Sequence, residues 1–235
     1  MQKRAINDSF LDENLQDFLR GWDNQYKMGM AEIDLFKEEK TQQWSEEQKK
    51  LFVQLLYHQR AHFDDVLWLM GNFAPNAEAK EVILNNIRDE LGMNGLSHEK
   101  LYLEFARSLG VDLTYELIEE KYYYSFLREY NHGHLRWLRD HDWDHRLAAF
   151  TAIERLDNLD YLGLRDVAVS IGAVGKALTF FNVHIHVKHY EAAEKFFIIL
   201  WKSKSDVVKS VFQFIGSYQL EIWRKISDAV FKGSY

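Results

Sequence analysis

The 235-residue chain contains no cysteine, one proline and no long apolar run. The absence of cysteine excludes disulfides, thiolate nucleophiles, iron–sulfur clusters and thiolate metal sites, so histidine and carboxylates are the metal ligands that remain. The longest apolar segment, residues 196–201, is too short to cross a bilayer, and the first 14 residues show no secretory pattern. We therefore expect a cytoplasmic protein that does not enter a membrane.

Positive charge is also scarce. The chain has 29 Lys and Arg against 36 Asp and Glu, a formal net charge of −7, and no basic block. This balance argues against a nucleic-acid partner. Aromatic side chains are abundant instead, with 7 Trp, 12 Tyr and 16 Phe. They suit an aromatic-lined pocket for a small molecule, although ordinary packing could use them equally well, and the sequence leaves a homodimer open.

Helical periodicity runs through nearly the whole chain, and no segment has the alternation of a strand. With no linker, the sequence predicts a single helical domain over residues 1–235, an all-α bundle of about seven or eight helices. Ser45 with Gln48 resembles a capping box, and Ser97 is a good N-cap. The predicted helices cover residues 9–38, 45–70, 77–91, 97–109, 113–139, 144–171, 176–202 and 204–232.

Two histidines on one helix face give the first indication of chemistry. At about 100° per residue, His186 and His189 lie on the apolar stripe of the predicted helix over 176–202, together with Asn182. His184 lies on the opposite, charged side, so we expect it to point to water. Two inward imidazoles one turn apart suit a metal held inside a helical bundle, although two ordinary core histidines would give the same pattern.

Three more polar side chains fall on the inner faces of other predicted helices. Glu90 borders the apolar stripe of the helix over 77–91, and His98 lies on the apolar face of the next helix. Glu154 sits in an almost wholly apolar segment, where a carboxylate has a raised pKa, meets a cation such as Arg165 or binds a metal. Carboxylates and imidazoles together suit iron or manganese. The predicted metal site comprises Glu90, His98, Glu154, His186 and His189.

The order of these residues resembles a known family. Asp89-Glu90 is followed by His98, then by Ala152-Ile-Glu154 in a central helix, and finally by Asn182-x-x-x-His186-x-x-His189. This order is similar to that of the haem-oxygenase-like di-iron oxidases and oxygenases, within the broader superfamily of thiaminase II and pyrroloquinoline-quinone synthase. The resemblance covers roughly residues 77–200.

The resemblance implies a haem-oxygenase-like helical bundle and a non-haem enzyme with two Fe(II) ions and O₂ as co-substrate. The implied substrate is a small amino-acid-like or fatty-acid-like molecule, which such enzymes oxidise, oxygenate or cleave, often in natural-product biosynthesis. The sequence does not choose among these reactions.

The late helix departs from the family's His-x-x-x-Asp-x-x-His pattern. Asn182 stands where the family has the first His, and His186 stands where it has Asp. Asn182 is therefore at most a weak ligand, and one iron is expected to bind weakly. The other register begins at His184 and places Lys188 and Glu191 at the two remaining positions. We prefer the first register because the helical stripe supports it, with His184 as the alternative ligand.

His58 and His62, one turn apart on the predicted helix over 45–70, are candidates for the pocket or for contacts behind the ligands, although core histidines give the same pattern. A haem oxygenase would need one of them as its axial ligand. A further alternative is a metal-free enzyme resembling pyrroloquinoline-quinone synthase. Another is a thiamin-salvage hydrolase, which is disfavoured because such hydrolases usually have a cysteine nucleophile and this chain contains no cysteine. From a different class, a non-catalytic helical interaction module is also open.

Overall fold

A computed structural model of the protein describes residues 13–93, 95–186 and 190–233. Within these ranges the chain forms helices and no strand, as the sequence predicts. Two short 3₁₀ helices cover Asp34–Phe36 and Gly175–Leu178. The α-helices are α1 (Glu13–Ala31), α2 (Glu38–Thr41), α3 (Glu46–Arg60), α4 (Phe63–Phe73), α5 (Ala77–Glu90), α6 (His98–Ser108), α7 (Glu116–Glu119), α8 (Ser125–Asp140), α9 (Trp143–Ser170), α10 (Thr179–His186) and α11 (Tyr190–Lys232).

Several predicted helices are divided in the structure. His62, with φ −98° and ψ 10°, leaves helical geometry and separates α3 from α4. Glu120 is left-handed, with φ 48° and ψ 33°, and ends α7 before α8 begins. The break predicted after residue 202 is a kink within α11, where Lys204 has φ −145° and ψ 49°. Hydrophobic periodicity continues across each of these positions, which is why the sequence did not reveal the first two breaks.

The predicted helix starts are confirmed where a capping side chain is present. The hydroxyl of Ser45 accepts a hydrogen bond from the backbone N–H of Gln48, whose side chain accepts one from the N–H of Ser45 in return. Ser97 accepts a hydrogen bond from the backbone N–H of Lys100 and so starts α6. Each cap satisfies N–H groups that a helix leaves unpaired at its first turn.

Two apolar clusters fill the interior and meet along α9 and α11. The first cluster lies mainly between α3, α6, α10 and the carboxyl-terminal parts of α9 and α11. The second lies between α1, α4, α5 and the amino-terminal parts of α9 and α11. The polar side chains Glu154, Asp157 and Asp160 of α9 are buried inside this packing, so each needs a compensating partner. No helix in the described part of the chain is both long and apolar enough to span a bilayer.

Candidate metal centre

Glu90 and His98 face each other across the tight connection between α5 and α6. Glu90 is the last residue of α5, and His98 is the first residue of α6. Between them Gly92 has φ 72°, and a Cβ atom there would lie 2.2 Å from the backbone nitrogen of Ser97. Glycine therefore allows the chain to fold back this closely. As a result, Nδ1 of His98 lies 2.7 Å from Oε2 of Glu90.

His184 on α10 completes this group. Its Nδ1 donates a hydrogen bond of 2.8 Å to the carbonyl oxygen of Phe180. Because a carbonyl can only accept, Nδ1 carries the proton, and Nε2 is the unprotonated nitrogen of the neutral ring. The imidazole also lies flat against the buried ring of Tyr161, with centroids 3.9 Å apart. These two contacts fix both the tautomer and the direction of the imidazole.

The ligand atoms of Glu90, His98 and His184 all lie within 4.8 Å of one another. Nδ1 of His98 is buried and makes no hydrogen bond in the described part of the chain, although Oε2 of Glu90 lies 2.7 Å away. A buried nitrogen of this kind beside a carboxylate fits a metal ion, which would bind both groups. Two imidazoles and one carboxylate are a ligand set typical of non-haem Fe(II) oxygenases.

The position of His184 corrects the expectation that it points to water, since its exposed fraction is only 5%. The predicted stripe assumed one continuous helix over residues 176–202. In the structure the chain begins there as a 3₁₀ helix, and α10 ends at His186. Within α10 the buried face runs through Phe180, Phe181 and His184. The alternative ligand named from the sequence therefore faces the site.

The other late-helix candidates are placed as follows. His189 lies outside the described residues, and the structure describes His186 only as the last residue of α10. Oδ1 of Asn182 accepts a hydrogen bond of 2.9 Å from Nε of Arg165, so this oxygen is directed at a guanidinium. No ion pair joins Arg165 to Glu154, which was the alternative interpretation of that carboxylate.

Glu154 lies on α9 with 2% of its surface exposed. Burial raises the pKa of its carboxyl well above the usual range, the charges of Asp157 and Glu90 raise it further, and Arg60 opposes them. Arg60 donates two hydrogen bonds, of 3.0 and 2.8 Å, to the carboxylate of Asp157. That guanidinium is therefore already paired, and a surplus of carboxylates remains. A bound cation would favour the charged form of Glu154.

A cavity of about 280 Å³ opens at this group, and all three ligand residues line it. This volume lies just below the range of about 300–1,000 Å³ that is typical of small-molecule sites. Most of the remaining wall is aromatic or charged, so a metal here would lie at the wall of a pocket for a small molecule. The cavity is also lined by Tyr57, Arg60, Phe63, Asp64, Glu99, Tyr102, Tyr161 and Phe180.

His58 and His62 do not line this cavity. Nε2 of His58 lies 2.8 Å from Oε1 of Glu116, and both side chains are buried. The ring of Tyr123 stacks on both imidazoles, at centroid distances of 4.6 and 4.4 Å. His62 lines a separate cavity of about 30 Å³, together with His134. Both imidazoles therefore lie outside the cavity that Glu90, His98 and His184 line.

A family model described as iron-containing redox enzyme matches residues 50–195. The chain belongs to this family. Among solved structures it resembles a CADD-like protein of unknown function from Nostoc punctiforme, with a TM-score of 0.67 and 17% identity over 92% of this chain and 97% of that one. A TenA homologue from P. horikoshii gives a TM-score of 0.63 and 14% identity over 93% and 99% of the two chains.

At such identities the solved structures show the fold alone, which is the haem-oxygenase-like helical bundle that the sequence predicts. No curated protein matches the chain significantly.

Proposed function

We propose that this protein is a non-haem iron enzyme that uses O₂ to oxidise or oxygenate a small organic molecule. The observation that carries the proposal is the group of Glu90, His98 and His184 at the wall of a cavity, in a chain of the iron-containing redox enzyme family. Iron held by two imidazoles and one carboxylate keeps open positions, and it would supply the activation of O₂ and the electron transfer of the reaction.

The protein's own groups would hold and orient the ligands. The Phe180 carbonyl accepts the Nδ1 proton of His184, which increases the basicity of Nε2 and directs it toward the cavity. The turn at Gly92 sets the separation of Glu90 and His98. The aromatic wall of the cavity would exclude water from the reacting groups and lie against the hydrocarbon part of a substrate.

We further propose a second iron ion, held by Glu154. Glu154 is only 2% exposed and forms no ion pair within the described part of the chain, so a cation bound there would stabilise its charged form. Since Asn182 is directed toward Arg165, we expect this second ion to be the more weakly bound.

Because His184 faces the site and α10 is helical through His186, His186 lies about 200° around the helix from His184 and so away from the site. The register that begins at His184 is therefore the better source of a further ligand, and we propose Glu191. Glu191→Ala should then lower the iron content from two ions toward one, whereas His186→Ala should leave it unchanged.

Oxygen consumption tests the proposed reaction. Protein loaded anaerobically with Fe(II) and freed of excess metal is mixed with O₂, and an electrode follows uptake with and without candidate amine, amino-acid and fatty-acid substrates. We expect uptake that depends on bound iron and rises with a substrate, and that is lost in Glu90→Ala and His98→Ala. His132→Ala, on the exposed face of α8, is the control and should match the wild type. Uptake no faster than that of free Fe(II) would contradict the proposal.

A further inference from the structure

Asp64 is a half-buried carboxylate at the cavity wall, and no side chain in the described part of the chain forms an ion pair with it. It lies in the first turn of α4 and lines the cavity with Glu90 and Glu99. Within the described part of the chain, its carboxyl accepts no hydrogen bond and forms no ion pair. Burial, followed by the charge of Glu90 and of other nearby acids, raises its pKa to about 6. The cavity wall therefore contains a half-buried carboxylate that no described side chain pairs with.

The two cationic side chains at this cavity leave that charge in place. Arg60 is engaged by Asp157 through two hydrogen bonds. Lys100 is exposed and forms no ion pair among the described residues. Glu99 accepts a hydrogen bond of 3.2 Å from the hydroxyl of Tyr57, which leaves its negative charge unpaired. Fe(II) bound by Glu90 would offset one further negative charge, and Asp64 remains a half-buried carboxylate of this wall without a hydrogen-bond or ion-pair partner among the described residues.

The rest of the wall suits the apolar part of an organic cation. Five aromatic rings line the same cavity, and aromatic faces attract cations and pack against hydrocarbon. Leu91 and Leu117 also line it, and they are 54% and 43% exposed, so they lie where the cavity opens to solvent. The five aromatic residues are Tyr57, Phe63, Tyr102, Tyr161 and Phe180.

We propose that the substrate of this cavity is an organic amine whose cationic nitrogen is held by Asp64, with Glu99 adding to the negative field. Its hydrocarbon part lies against the aromatic wall and extends toward Leu91 and Leu117. The inference rests on the proposed function, because it names the substrate class of the same site. A substrate carboxylate at this position would meet an unpaired acid, which disfavours a fatty-acid-like head group here.

Four probes of equal chain length test this assignment: hexylamine, hexyltrimethylammonium, 1-hexanol and hexanoate. Their binding to Fe(II)-loaded protein is measured anaerobically at a pH of about 7.5, where Asp64 is ionised and the amine is protonated. The quaternary cation cannot coordinate iron, so its binding separates recognition by Asp64 from ligation of the metal. We expect both cations to bind at least about tenfold more tightly than hexanol, and hexanoate to bind most weakly.

Asp64→Asn and Asp65→Asn form a matched pair, since each removes one negative charge from neighbouring positions. The side chain of Asp65 is 57% exposed and does not line the cavity. Asp64→Asn should lower the affinity for both cations about tenfold and leave that for hexanol unchanged, whereas Asp65→Asn should change neither. Because Asp64→Asn removes an uncompensated charge, we expect it to fold at least as well as the wild type.

Equal affinity of the wild type for hexanol and the two cations would overturn the assignment, as would equal losses in the two variants. Iron content is measured in the same samples. If iron binds and the preference for cations is absent, the amine inference fails while the iron proposal stands. If iron does not bind and the preference depends on Asp64, the amine inference stands while the iron proposal fails.

Discussion

The imidazole of His184 and the phenol ring of Tyr161 are stacked, with centroids 3.9 Å apart and an angle of 9° between the rings. The guanidinium of Arg60 lies 4.8 Å from the centroid of the same phenol ring. Tyr161 thus connects a candidate iron ligand on α10 to the ion pair of Arg60 and Asp157. We therefore expect the orientation of His184 to depend on side chains that are not themselves candidate ligands.

Replacing Tyr161 tests this support. Tyr161→Ala should lower iron affinity by about 10–100-fold, because His184 loses the surface that orients it. It should also lower the free energy of unfolding by about 3–5 kcal/mol, since a fully buried ring is removed. Tyr161→Phe keeps the stacked ring and should bind iron nearly as the wild type does. Fe(II) titration and urea denaturation measure the two effects, and wild-type iron affinity in Tyr161→Ala would show that the stacking does not matter.

A change at Gly92 should disturb the site through the backbone. Gly92→Ala places a Cβ atom 2.2 Å from the nitrogen of Ser97 at a residue with φ 72°, so the turn must open. We expect a loss of more than about 1 kcal/mol in the free energy of unfolding and weaker iron binding, because Glu90 and His98 separate. Gly95→Ala is the control, since a Cβ there meets nothing within 4 Å. Equal behaviour of the two variants would contradict the assigned role of the turn.

The pair of Arg60 and Asp157 should contribute strongly to stability, because the side chains are only 11% and 10% exposed. Arg60→Met leaves the Asp157 carboxylate buried without its partner, at a cost of about 3–5 kcal/mol in the free energy of unfolding. Arg155 pairs with Asp23 through two similar hydrogen bonds but is 24% exposed, so Arg155→Met should cost less. Urea denaturation measures the free energy of unfolding of both variants. An equal loss in Arg60→Met and Arg155→Met would contradict the stronger contribution of the more buried pair.

Asp160 should make stability depend on pH. Its buried carboxyl accepts hydrogen bonds from the hydroxyl of Tyr26 and from Nε2 of Gln219. Burial raises its pKa to about 7, whereas in an unfolded chain the group titrates at about 3.9.

Between about pH 4 and pH 7 the unfolded state therefore binds fewer protons at Asp160 than the folded state, and the free energy of unfolding falls as the pH rises through this window. Each unit of raised pKa corresponds to about 1.4 kcal/mol. Asp160→Asn should be less sensitive to pH over this interval, as measured by urea denaturation in buffers across it. Parallel curves for variant and wild type would contradict the raised pKa.

The sequence was sufficient to place those residues of the candidate site whose position depends on local pattern. Glu90 and His98 follow from the stripes of two helices separated by a glycine turn, and the structure brings them together. The burial of Glu154 follows from the apolar segment around it. His184 was assigned to the wrong side, because the helical phase was carried across a 3₁₀ start and beyond the end of α10.

Residues whose role depends on the packing of distant helices could not be predicted in this way. Arg60 and Asp157 are 97 positions apart, and neither has a local pattern that indicates the ion pair. Asp64 reads as an ordinary acid in the first turn of a helix, and its unpaired charge is evident only when the cavity is seen. Tyr161 reads as a core aromatic, which it is, but its contact with His184 requires the orientation of α10 against α9.

Anaerobic titration with Fe(II) tests the central claim, that Glu90, His98 and His184 hold iron, most directly. Bound iron per chain is measured for the wild type, for His184→Ala and for His132→Ala, which removes an exposed histidine of α8. The account predicts that the wild type and His132→Ala bind iron equally, and that His184→Ala binds it at least about tenfold more weakly, because one of three ligands is lost. Iron binding by His184→Ala equal to that of the wild type would contradict the account.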